Sequence, residues 1–148
     1  MLQISKNLYQ QDFQQWISVQ ADALRKHAWE QIDIENLVEE IESLGKQQHQ
    51  ELRNRLRILL AHLLKWEYQA EKRSRSWQST IREQREQIED LLSDSPSLKA
   101  YLEEALEISY SRGLALAVDE TELDAEVFPL KCPYTLEEVL SQEFLFDS

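Results

Sequence analysis

Glycine, proline and cysteine are nearly absent from this chain. Its 148 residues include two glycines, three prolines and one cysteine. So few chain-breakers suit a soluble helical protein, and 42% hydrophobic with 30% charged residues fits the same class. The lone Cys132 excludes an internal disulfide and suits a reducing cytosol. Long apolar runs are missing as well. The run Ile58 to Ala61 stops at His62, and nothing is expected to span a membrane. Met1 to Asp12 carries Gln, Lys and Asp throughout, without the apolar core of a signal peptide. These absences predict a soluble, cytoplasmic protein. At this length one domain is expected, able to bury a core without metal or disulfide staples.

Positive charge is scarce overall, and the net charge of −12 argues against general nucleic-acid binding, because an acidic surface repels a polyanion. What there is of it is concentrated. Between Arg53 and Arg85 stand nine basic and three acidic residues, so the rest of the chain holds 7 basic and 25 acidic ones. A basic middle lies between acidic flanks.

Periodicity predicts an all-α, single-domain helical bundle organised around a long helical hairpin. Main helices are expected at 8–27, 33–44, 46–70, 76–93 and 96–119. An irregular tail over 120–148 should carry a short final helix near 135–141. On the first helix, Tyr9, Phe13, Trp16, Gln20, Ala23 and His27 share one face. Asp33 suits an N-cap for the second, whose buried stripe is expected at Ile34, Leu37, Val38, Ile41 and Leu44. Gly45 either ends that helix or bends a longer one. Leu52, Leu56, Leu59, Leu63, Trp66 and Ala70 form the seam of the third helix, and apolar residues on its other sides make it central. Ser74 or Ser76 caps the fourth helix, and Ser95 with Pro96 starts the fifth. Thr135 with Glu138 reads as a capping box for the last.

Three groups of residues have chemical potential. The first is the turn EKRSRS at 71–76 with the start of the fourth helix. Arg73, Ser74, Arg75 and Ser76, with Trp77, Arg82 and Arg85 following, could hold an anion. Free N–H groups at a helix start favour negative charge, and guanidinium forks bind phosphate or carboxylate bidentately. The competing reading pairs these arginines with the acidic flanks. The second group is the line Glu39, Glu42 and His49, a weak metal half-site lacking the Glu-x-x-His pairs of di-metal bundles; a solvated polar face explains it better. His62, inside the leucine run, could act as a base, but no nucleophile accompanies it, and a hydrogen-bonded edge histidine is the better reading. The third group is the tail. Phe128, Tyr134, Phe144 and Phe146 either fold back on the bundle or dock a partner.

Four stretches carry a resemblance to a known family: LYQQDFQQWISVQADALR, DIENLVEEIESLG, LRILLAHLLKWEYQAEKRSRSWQSTIREQREQIEDLLSDSPSL and VFPLKCPYTLEEVLSQEFL. In order and over nearly the whole chain, they resemble the bacterial domain-of-unknown-function family 29, which is numerous in cyanobacteria. The resemblance implies an all-helical domain with a helical hairpin at its core. It implies no particular activity and brings no catalytic residues. The expectation is therefore a protein-interaction or adaptor domain without catalysis or cofactor. The alternatives are a binder of an anionic ligand or nucleic acid through residues 72–85, and a metal-dependent enzyme using Glu39, Glu42 and His49 or His62.

Overall fold

A computed structural model of the protein describes residues 8–145, and in it Asp12, Asp33, Ser74 and Thr135 each receive a first free N–H of the helix that follows. Among the described residues there is no strand, and the fold class is all-α. A helical turn at 8–11 precedes α1 (Phe13–Arg25), α2 (Ile34–Tyr68), α3 (Arg75–Asp94), α4 (Leu102–Thr121) and α5 (Leu136–Leu140). Single 3-10 turns at Trp29–Gln31, Ala70–Lys72 and Ala125–Val127, and a longer one at Pro96–Tyr101, connect them. The chain divides into two compact units, Met1–Lys46 and Gln47–Ser148, and the division falls within α2.

The second and third expected helices are one. Gly45 neither ends nor breaks α2: no glycine has a positive φ, and the helix runs for 35 residues. A helical glycine costs about 1 kcal/mol against alanine, which the strong helix formers around Gly45 absorb. The first expected helix is instead divided. Asp12 leaves helical geometry and its carboxylate accepts from the Gln15 N–H at 3.1 Å, so α1 begins at Phe13. Ser95 is also not the cap expected. Its hydroxyl donates to Gln48 at 3.2 Å, and the chain enters α4 through a 3-10 segment with Pro96 in its first turn.

In the first unit, α1 and the start of α2 form an antiparallel hairpin held by a polar knot. Asp33 is fully buried. It accepts from the Trp16 indole at 3.2 Å and the Asn36 amide at 2.7 Å, while its own N–H donates to the Gln20 side chain at 2.7 Å. Further along, the Tyr9 hydroxyl donates to Glu40, which lifts the phenol to about 12, and Tyr9 packs edge-on against Trp16. A buried carboxylate is tolerated only with such partners.

In the second unit, Leu52, Leu56, Leu59, Leu60, Leu63 and Leu64 of α2 are fully buried and pack with Ile81 and Ile88 of α3 and Leu102, Ala105 and Ala117 of α4. The leucine seam is the core, as its spacing predicts. Burying each such leucine contributes about 1.5–3 kcal/mol. α4 approaches α2 closely at Gly113, where an added Cβ would stand 3.0 Å from the Arg57 carbonyl oxygen. The tail folds back onto this core. Phe128, Tyr134 and Val139 are buried, Tyr110 donates to the Pro129 carbonyl at 2.5 Å, and Thr135 and Glu138 form the expected capping box.

Candidate functional site

The basic turn separates into structural and exposed members. Ser74 caps α3 by accepting from the Trp77 N–H at 3.2 Å. Arg73 donates to the Trp66 carbonyl at 2.7 Å and lies over the Trp66 ring. The Trp77 ring carries Lys65, whose ammonium pairs with Glu120 at 2.5 Å. Arg85 points inward, 2% exposed, and its guanidinium donates to the carbonyls of Val139, Glu138 and Phe144 at 2.8, 3.2 and 3.4 Å. Burial lowers it to about 10, so it stays charged at neutral pH. Arg75, Ser76 and Arg82 are exposed. The structure therefore does not gather these seven residues into one cradle: Arg85 clamps the tail, and Arg73 closes the turn.

The second group is not gathered either. Among the described residues, no three His, Cys, Asp or Glu side chains are placed to hold a metal ion. Glu39 and Glu42 are exposed, and His49 stacks on the Tyr101 ring at 4.4 Å. The His62 ring meets the Ile58 carbonyl at 2.8 Å, an edge histidine as the sequence suggested, and burial pushes its pKa below the ordinary value. In the tail, Tyr134 donates to Glu67 at 2.6 Å, and burial with that carboxylate raises the phenol well above its ordinary range. Phe144 meets the Tyr134 ring edge-on. Phe128, Tyr134 and Phe144 thus fold back rather than offering themselves for docking; Phe146 lies outside the described residues. Cys132 is half-buried against the core, and burial raises its thiol.

An apolar surface stands instead where burial was expected. Ile34, Val38, Ile41 and Leu44, read from the sequence as a buried stripe, are exposed. The side of α2 that meets α1 carries Asp33, Asn36 and Glu40, because the Trp16 indole, the Gln20 amide and the Tyr9 hydroxyl require polar partners there. On α1 the facing line is Trp16, Gln20 and Ala23. Four of the exposed apolar residues stand one position after a facing one: Ile17 after Trp16, Leu24 after Ala23, Ile34 after Asp33, Ile41 after Glu40. One step turns an α-helix by about 100°. In two antiparallel helices, turning each by that amount in its own chain direction brings both to the same side of the pair. Phe13, Ile17 and Leu24 are 40–44% exposed and Ile34, Val38 and Ile41 46–66%. Together they form one face with about 500 Å² of apolar surface, at the upper end of what a monomer normally carries.

These elements also match a family over their full described length. The model described as a domain of unknown function, DUF29, matches residues 8–145. The chain belongs to the DUF29 family. No curated protein and no solved structure matches it. In this DUF29 chain no helix among the described residues is long and apolar enough to cross a membrane. The apolar face is the feature that reading the sequence missed. Its signal was there: Phe13, Ile17 and Leu24 add a second apolar line beside Trp16 and Ala23, wider than one neighbouring helix covers.

Proposed function

We propose that this chain is a cytoplasmic protein-interaction module that docks another chain on the apolar face of the α1–α2 hairpin and performs no catalysis. The observation carrying this reading is the row Phe13, Ile17, Ile34, Val38 and Ile41, exposed side by side on a well-formed helical pair. Apolar surface of this extent loses free energy to water unless it is covered, at about 25 cal/mol per Å². The roles taken by Arg85, Arg73 and His62 support it from the other side, since each is engaged in holding the fold.

The test is affinity capture from lysate with native protein and with an Ile34→Glu/Ile41→Glu variant whose helix content is confirmed by circular dichroism. Capture of a defined protein, lost in the variant, supports docking on this face. Partners bound equally by both proteins move the docking surface elsewhere and overturn the reading.

A further inference from the structure

Resting on that reading, we infer that the chain docked on the hairpin face is a second copy of this protein. The hairpin is half of a four-helix bundle. Among the described residues of its own unit it buries only Trp16, Ala23 and Ile32 of its apolar side chains, and α1 and α2 each leave an apolar line open on the same side. Two such faces brought together by a two-fold axis supply each other with the missing layer. The six side chains, 40–66% exposed, contribute about 500 Å², and a stable interface of about 800 Å² per partner requires the polar residues that rim them to contribute the rest.

Charge selects the arrangement. Beyond its apolar line, α2 carries Glu35, Glu39 and Glu42, whereas the corresponding edge of α1 carries Gln14, Ser18, Ala21 and Arg25, and its one acid, Asp22, is paired with Lys26 at 3.0 Å. Setting α2 on α2 of the second copy would place acid rows together. A two-fold axis parallel to the helices sets α1 on α2 of the second copy and keeps the acid rows apart. It also preserves height along the hairpin. Tyr9 opposite Glu40 and Trp16 opposite Asp33 put Gln14 level with Glu35. Gln14 therefore stands near Glu35 of the second copy, and Phe13 stands level with the gap between Ile34 and Val38 of that copy.

The experiment is sedimentation velocity on the full chain across the micromolar range. The native protein is expected to sediment as a dimer, and the Ile34→Glu/Ile41→Glu variant as a monomer with unchanged helix content. Gln14→Lys is expected to tighten the dimer and Gln14→Glu to loosen it, each about threefold. A monomeric native protein overturns the inference. If that monomer still captures a defined partner that the variant loses, the docking reading survives without it; if it captures none, both fall. A dimer indifferent to both isoleucine substitutions overturns the inference by placing self-association on another surface. Equal weakening by Gln14→Lys and Gln14→Glu overturns the arrangement, because it sets like helices together.

Discussion

The hairpin Met1–Lys46 and the bundle Gln47–Ser148 are made of similar amphipathic helices that end up differently covered. In the bundle, α2 is apolar on most sides, and α3, α4 and the returning tail cover it; its only exposed large apolar side chains among the described residues are Val127 and Leu130. In the hairpin, nine of the described ones are exposed, and the contact between helices is mostly polar. The two glycines mark the same contrast. An added Cβ at Gly113 meets the backbone of α2, whereas one at Gly45 meets nothing within 4 Å. One unit is finished by its own chain; the other has a side left open.

Truncations separate the two units most sharply. Leu59→Ala in the bundle is expected to lower unfolding free energy by about 2–5 kcal/mol, since the fully buried site leaves a cavity. Ile34→Ala in the hairpin is expected to cost under about 0.5 kcal/mol at concentrations where the chain is monomeric. Urea unfolding measures both, and equal costs would erase the contrast. Next come the glycines. Gly113→Ala forces α4 away from α2 and is expected to cost about 1–3 kcal/mol. Gly45→Ala is expected to gain about 0.4–1 kcal/mol, because helix propensity improves and nothing is displaced. A loss at Gly45 would mean that this position is covered in solution.

The smallest effect concerns pH. Burial holds the His62 imidazole below its ordinary pKa, so the folded bundle prefers the neutral ring. That preference is fully present above the ordinary value of about 6.5 and is lost as pH falls through the lower folded value. Native protein should therefore lose stability more steeply over that acid window than His62→Gln, as read from urea midpoints at stepped pH. Parallel curves would remove the histidine from the account.

Much of the bundle was legible. The spacing of Leu52, Leu56, Leu59 and Leu63 named the core seam, Thr135 named one helix start and the pair Ser74 or Ser76 bracketed another, and the tail was expected to fold back or dock. Arg85 was harder, because a charge in a basic run reads as surface. The returning carbonyls of Glu138, Val139 and Phe144 help make its burial tolerable. The hairpin misled for a related reason. Ile34, Val38 and Ile41 share a face by period, yet period does not say which face meets a neighbour.

The sequence by itself determined the all-α class, the central helix with its leucine seam and the concentration of basic charge, because these follow from composition and from contacts within a few turns. Tertiary structure alone decided that α2 continues through Gly45, that Arg85 clamps the tail, and that the apolar line of the first unit stays uncovered. Each of those depends on which distant residue satisfies a polar group. For Asp33 the partners are Trp16 and Gln20; once they turn the polar side of α2 toward α1, its isoleucines have to face outward.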